Sequence, residues 1–320
     1  MSFVVSSLSD YTIQNAQELV VSSVLGNKTA TLIKSQGNVM VGVKSAETIN
    51  IMDTDSVFQD GSSCGFTASG TTTFTQRTIT VGKIKVNEAL CPKDLQAKYL
   101  QQALPAGSRY DSTIFAAEFS QRKADKIAAA LEVAIWQGDT GSGTANLNKF
   151  DGFVKLIAAA SASVIHANTS TYYGTPLAAS AGLTVSNVIA VVDAIYKAIP
   201  AEIVAKDDTA IFVGMDTFRL YTIALKNANL FAYNVDTKAD SEFVLPGTTI
   251  KVIALQGLNG TNKLYAGRIS NLFLGVDLLN EEEKFELFYA KEADQVRFVA
   301  EFKYGVNFAF PAELVDFILA

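Results

Sequence analysis

Residue types that commonly carry catalysis are sparse in this chain, and their spacing offers them few partners. Residues 139–142 read Asp-Thr-Gly-Ser, a signature of peptide-bond hydrolysis in which two aspartates, from two lobes or two subunits, share one proton. The chain has no second copy of this motif. The motif also follows the predicted end of a helix, where Gly138 is a typical stop, so we interpret it as a loop.

One histidine and two cysteines are the remaining candidates for chemistry. His166 lies in a polar loop, and a lone histidine excludes a multi-histidine metal site within one chain. No orienting carboxylate is evident for a His-based triad. Cys64 and Cys91 flank a predicted strand, too far apart to pair within a chain at a Cα limit of ~7 Å; a contact between subunits stays open. We therefore predict no catalytic residue, no metal, no cofactor and no enzymatic activity.

Composition bounds the other functions of this 320-residue chain. With 49% apolar and 18% charged residues, it is typical of a globular protein. The net charge is −6 and no block of Lys or Arg occurs, so a basic face for nucleic acid is not expected. The start has no basic n-region, and the apolar runs are too short or too interrupted to span a bilayer. We expect no membrane partner and a cytosolic folding environment.

A long helix is the clearest element that the sequence predicts. It should begin near Ser108, end at Gln137 and stop at Gly138. Its second half is apolar almost all round, which indicates deep packing. Trp136 is therefore expected to be buried where this helix meets the C-terminal return strands.

Periodicity outlines an α/β lobe and a C-terminal return to strands. A helical stripe covers residues 185–199, a buried strand 210–213, and strands near 249–255 and 263–269 flank Asn259-Gly260, a hairpin turn signal. Strands are also predicted over 284–291 and 295–304. In the latter, one face should hold Val296, Phe298, Ala300, Phe302 and Tyr304.

Residues 49–90 form a long strand-like arm that has little apolar surface to bury. Thr and β-branched residues dominate 71–86, a stretch that would reach roughly 50 Å. The tip, residues 60–70, is rich in turn residues. Because an isolated two-stranded ribbon is marginal in water, we expect the arm to lie on another subunit. A change in the apolar phase predicts a bend or bulge at Gly82.

The order of these parts resembles the major capsid proteins of tailed bacteriophages, which share the HK97 fold. Local sequence patterns are also similar to those of that family. They lie in the segment after the long helix, residues 136–153, and in the strands around 285–291 and 296–305. The stretches around Cys64 and Cys91 are similar to capsid proteins of crAss-like phages. The likeness covers nearly the whole chain and is one of layout and patterning, since the family has no invariant catalytic motif.

This resemblance implies an α+β, HK97-like capsid fold with an N-terminal arm, an extended β-hairpin loop, a long spine helix, and peripheral and axial domains. The implied ranges are 1–48 for the arm, 49–90 for the extended loop, 91–183 for the peripheral domain with the spine helix at 108–137, 184–275 for the axial domain, and 276–320 for the return strands. Contacts between subunits are expected at Phe66, Phe74, Arg77, Lys83, Lys85, Glu281, Glu282 and Glu283.

The resemblance also implies a function as a structural virion protein. Copies would assemble into an icosahedral shell of hexamers and pentamers that encloses double-stranded DNA without sequence-specific contacts. Expected partners are further copies and portal, scaffolding and decoration proteins; synthesis would occur in the host bacterial cytoplasm. The alternative is an encapsulin, a bacterial compartment of the same fold that encloses a cargo enzyme. A hydrolase on an α/β scaffold is disfavoured because no nucleophile–base pair is evident.

Overall fold

A computed structural model describes residues 12, 14–62, 64–91, 112–228, 241–277 and 284–319. The helices are α1 (Ala16–Leu25), α2 (Lys28–Ser35), α3 (Ser112–Gln137), α4 (Phe153–Ala159), α5 (Val188–Ala198), α6 (Ala201–Val204) and α7 (Met215–Asn227). The strands are β1 (Val39–Val41), β2 (Ala46–Thr54), β3 (Thr72–Thr80), β4 (Gly82–Leu90), β5 (Ile165–His166), β6 (Thr209–Gly214), β7 (Glu242–Val244), β8 (Lys251–Leu255), β9 (Leu264–Arg268), β10 (Leu272–Val276), β11 (Lys284–Ala290), β12 (Gln295–Phe308) and β13 (Val315–Phe317).

Within the described residues, these strands form two larger sheets and a two-stranded ribbon. The first sheet has the order β1-β10-β12-β11, and β4 also pairs with β12. The second sheet has the order β5-β13-β9-β6-β8-β7. The ribbon, residues 46–80, consists of antiparallel β2 and β3 joined by a tip at residues 55–71.

Strand β12 organises the first sheet because its length lets it pair with three other strands. Its first half lies between β4 and β11, and its last residues pair with β10. The alternation predicted for this strand is confirmed, since the five side chains expected on one face are all buried. Where the base of β3 crosses β12, a Cβ at Gly305 would lie 2.3 Å from the carbonyl oxygen of Thr80, so this approach requires glycine.

Helix α3 connects the two sheets through a shared core. Near its start, Phe119 packs edge-on against Phe298 of the first sheet, with ring centroids 5.9 Å apart. In its last turn, Trp136 lies 5.5 Å from Phe212 and 5.8 Å from Tyr265, both on the second sheet. Trp136 is 1% exposed, so its predicted burial is confirmed. Its neighbours differ from the predicted return strands because α3 ends beside the second sheet.

A buried carboxylate fastens the N-terminal helices to α3. Glu132 is 3% exposed and accepts hydrogen bonds from the backbone N–H (3.0 Å) and the hydroxyl (2.7 Å) of Thr29, at the start of α2. The Thr29 oxygen also accepts a 2.9 Å hydrogen bond from Trp136 Nε1. Burial raises the pKa of Glu132, and the Thr29 hydrogen bonds offset this only in part. A helix start favours such a carboxylate because its first N–H groups lack helical partners.

Helices α5 and α7 pack with the second sheet around another core. The predicted stripe on α5 is confirmed, with Val188, Val192 and Ile195 buried. Strand β6 is buried along its whole length. It pairs with β8 on one edge and β9 on the other, so the hairpin predicted at Asn259-Gly260 is wrong. The apolar β6 separates these strands because it is buried and hydrogen-bonds on both edges.

The structure divides the predicted arm 49–90 near Gly82. Residues 46–80 form the ribbon, whereas β4 belongs to the first sheet through its pairing with β12. A Cβ at Gly82 would lie 1.9 Å from the carbonyl oxygen of Lys149, which explains a glycine at this break. The end of the long helix at Gln137 is confirmed, while its predicted start at Ser108 lies outside the described residues. The domain ranges remain predictions.

Candidate functional site

The ribbon is anchored only at its base. Ile49, Ile51 and Ile79 are buried there and pack with Val43 and Val81 in a small cluster. Farther out, residues 72–76 of β3 and all described tip residues are exposed. The apolar contacts that hold the ribbon to its own chain therefore end about halfway along its length.

Large apolar side chains are concentrated on this unsupported part of the ribbon. Phe58 is 97% exposed, Phe66 94% and Phe74 75%. Met52 and Val57 are also exposed. Large apolar side chains exposed together on one segment are typical of a surface that binds a partner. Phe66 and Phe74 were predicted contact residues; Phe58 was missed, although an aromatic residue within a polar turn was a usable signal.

Arg77, another predicted contact residue, is engaged within its own chain. Its guanidinium lies 4.1 Å from the centroid of the Phe308 ring and 3.5 Å from Asn307 Oδ1. Desolvation by burial lowers its pKa. Asn307 in turn donates a 2.7 Å hydrogen bond to the carbonyl oxygen of Thr78. These contacts orient the ribbon base on β12.

The predicted lysines lie on β4, which belongs to the first sheet. Lys85 forms a 2.7 Å ion pair with Glu301, and this contact lowers the pKa of the Glu301 carboxyl. Lys83 is exposed and lies opposite Lys303 in the ladder. The predicted acidic contacts Glu281, Glu282 and Glu283 lie outside the described residues. All of these intersubunit roles stay predictions.

A groove of about 420 Å³ lies between β4 and α3. Its wall is apolar, with Ile84, Ile127, Leu131 and Phe302 among its residues, and its polar side chains include Lys85, Lys123, Lys126 and Lys149. Lys85 and Lys123 pair with Glu301 and Glu88. In contrast, no described carboxylate forms an ion pair with Lys126 or Lys149. The groove thus combines an apolar wall with unneutralised positive charge.

The Asp-Thr-Gly-Ser segment is held together as an ion-pair loop. Lys155 Nζ lies 2.7 Å from Asp139 Oδ1 and 2.8 Å from Asp151 Oδ1. The hydrogen bond from Lys155 lowers the pKa of Asp139. Burial would raise the pKa of Asp151, but hydrogen bonds from Lys155 and Thr140 outweigh it. Two ionised carboxylates separated by an ammonium group cannot share a proton, so the arrangement is structural.

His166 has a carboxylate partner that the sequence reading did not find. Its Nδ1 lies 2.7 Å from Asp316 Oδ1, so the expectation of no orienting carboxylate is wrong. The parallel pairing of β5 with β13 brings the two residues together across the chain. The second ring nitrogen, Nε2, lies 3.1 Å from the carbonyl oxygen of Ser161. A triad would need a nucleophile at that nitrogen, and a carbonyl oxygen is not one.

Cys64 and Cys91 are both free and exposed. Among the described residues, no group of three or more His, Cys, Asp or Glu side chains could hold a metal ion. None of the described helices is long and apolar enough to cross a membrane.

Comparisons with known proteins identify the fold. No protein-family description and no curated protein matches the sequence. The structure is similar to a chain of the satellite phage P4 procapsid that includes the size determination (Sid) protein, with TM-score 0.59, 12% identity, and 95% of this chain and 91% of that chain covered. It is also similar to the capsid of an empty GTA particle, with TM-score 0.54, 15% identity, and 90% of this chain and 89% of that chain covered. The capsid of Myoviridae phage XM1 is similar with TM-score 0.53, 10% identity, and 90% of this chain and 92% of that chain covered.

These likenesses show an α+β fold of the phage capsid type. The predicted HK97-like architecture is therefore confirmed.

Proposed function

We propose that the chain is the major capsid protein of a tailed bacteriophage, which assembles into the icosahedral shell of the virion. The exposed aromatic side chains of the ribbon carry this proposal, because no described part of the same chain covers them and a second copy would. The shared fold supports it. Copies of the chain are the principal partners, in hexamers and pentamers around double-stranded DNA. Portal, scaffolding and decoration proteins complete the particle made in the host cytoplasm.

The ribbon of one copy has a complementary receptor in the groove of a neighbouring copy. Residues 46–76 contain the acidic residues Glu47, Asp53, Asp55 and Asp60 and no Lys or Arg. The groove offers an apolar wall together with Lys126 and Lys149. The aromatic groups would supply buried apolar area, and the opposite charges would set the register between copies.

Deletion of residues 60–70 tests the role of the ribbon. The truncated chain should fold and stay soluble but form no closed shells, as measured by sedimentation and negative-stain microscopy. Two further variants test whether the apolar side chains of the tip are needed. The double variant Phe58→Ser, Phe66→Ser should reduce shell yield, whereas Thr67→Ala in the same tip should not. Normal shells from the deletion variant would contradict the proposed role.

Charge reversal tests the receptor independently. Lys126→Glu with Lys149→Glu should block assembly, and Asp53→Lys with Asp55→Lys should restore it in the same chain. Lys206→Glu, at an exposed position just after α6, is the control and should assemble normally. If the Lys126→Glu, Lys149→Glu variant assembles like the control, the ribbon binds elsewhere.

The cargo distinguishes a virion from an encapsulin. Particles purified from their natural source should contain nuclease-protected double-stranded DNA. Particles that enclose an enzyme and no DNA would favour the compartment.

A further inference from the structure

The second sheet brings a buried carboxylate against the only histidine of the chain. Asp316 on β13 is 1% exposed, and its Oδ1 lies 2.7 Å from His166 Nδ1. The other ring nitrogen lies 3.1 Å from the carbonyl oxygen of Ser161, in the turn that follows α4. His166 therefore bridges the turn after α4 and the last strand of the second sheet.

Both atoms that the His166 ring faces are hydrogen-bond acceptors. A neutral imidazole has one N–H group, whereas the imidazolium form has two. Only the protonated ring can donate to Asp316 and to the Ser161 carbonyl at the same time. Loss of the proton would leave two lone pairs facing each other at one of these contacts.

The surroundings of Asp316 make this proton important. Burial raises the pKa of Asp316, and the hydrogen bond with His166 opposes that effect, with a smaller contribution from the charge of Lys263. Tyr265, opposite Asp316 in the ladder, has a pKa raised by burial and stays uncharged. Asp316 Oδ2 has no hydrogen-bond partner among the described residues. The imidazole of His166, in direct contact with this carboxylate, is thus a group that can carry a positive charge beside it.

We propose that His166, Asp316 and the Ser161 carbonyl form a proton-dependent clamp that holds residues 161–166 against β13. The clamp is closed while the ring carries two protons and loosens when one is lost. The following loop would loosen with it, because Asn168 donates hydrogen bonds to the carbonyl oxygens of both Leu177 and Ile318. Protonation thereby controls how firmly the loop after β5 is held against the C-terminal segment.

The stability of the full-length chain should therefore fall as pH rises. Only the doubly protonated ring makes both hydrogen bonds, to Asp316 and to the Ser161 carbonyl, and the raised pKa of Asp316 acts in the same direction. Histidine is the side chain that normally changes charge between about pH 5 and pH 8, and this chain has only one. The pH dependence in that window can thus be assigned by a single substitution.

Thermal unfolding of the unassembled chain at about pH 5 and about pH 8 is the test. We expect the wild-type Tm to fall by about 2–4 °C across this range. His166→Gln and Asp316→Asn should each abolish the fall, and Asp207→Asn, at an exposed carboxylate, is the control and should keep it. If Asp316→Asn does not fold, hydrogen exchange of residues 161–168 in wild type and His166→Gln replaces it. The same pH dependence in wild type and His166→Gln, by either measurement, would overturn the clamp.

Discussion

Replacement of Trp136 by alanine should destabilise the chain strongly, because this side chain joins α3 to the second sheet. Its ring lies 5.2 Å from Phe153, 5.5 Å from Phe212 and 5.8 Å from Tyr265. A large-to-small change in such a core costs about 3–5 kcal/mol. Trp136→Phe retains most ring contacts but loses the hydrogen bond to Thr29, which is worth about 1 kcal/mol.

Urea unfolding of the unassembled full-length chain measures both changes. Far-UV circular dichroism has to follow the transition, since Trp136 is the only tryptophan and disappears in both variants. Tyr196→Ala is the control, because that aromatic side chain is exposed on α5. The reasoning is refuted if Trp136→Ala lowers the free energy of unfolding by no more than Tyr196→Ala does.

Two further substitutions test the carboxylates. Glu132→Gln should cost about 1–3 kcal/mol, because each carboxylate oxygen accepts one hydrogen bond from Thr29 and the amide replaces one of these oxygens with an NH2 group. The folded-state pKa of Glu132 is raised above its usual value of 4.5. The contribution of Glu132 to stability should therefore decline as pH rises through the shifted pKa. If Glu132→Gln shows the same pH dependence of stability as wild type, Glu132 is not the source of that decline. Asp139→Asn removes one contact of an exposed ion-pair loop. Negative-stain microscopy should therefore show unchanged shell yield and morphology. Loss of a proteolytic processing event in this variant would instead reveal a catalytic role for Asp139.

Local periodicity was sufficient to predict the elements that depend on nearby residues. The buried face of β12 follows from the alternation within one segment, and the end of α3 at Gln137 follows from the helix stop at Gly138. The same local patterns do not predict which distant segments pair with each other. The insertion of β6 between β8 and β9 depends on long-range hydrogen bonds, so the turn signal at Asn259-Gly260 predicted the wrong partner.

The candidate site shows the same difference between properties of one segment and contacts between distant segments. The polar, extended character of the arm predicted a two-stranded ribbon, because that property belongs to the segment itself. Phe66 and Phe74, which were predicted to contact another subunit, are exposed on it. The in-chain contact of Arg77 with Phe308 and the pairing of His166 with Asp316 join residues far apart in sequence. A single sequence has no local signal for either contact.

The passage of β3 into β4 has a mechanical consequence. Only Val81 separates these strands, and the base of β3 stays beside β12 through the hydrogen bond between Thr78 and Asn307. Because antiparallel hydrogen bonds lie perpendicular to the strands, tension on the ribbon would load the β4–β12 ladder in shear, with its bonds resisting together. Since β12 also pairs with β10 and β11, outward pressure in the proposed DNA-filled particle would be spread across the whole sheet.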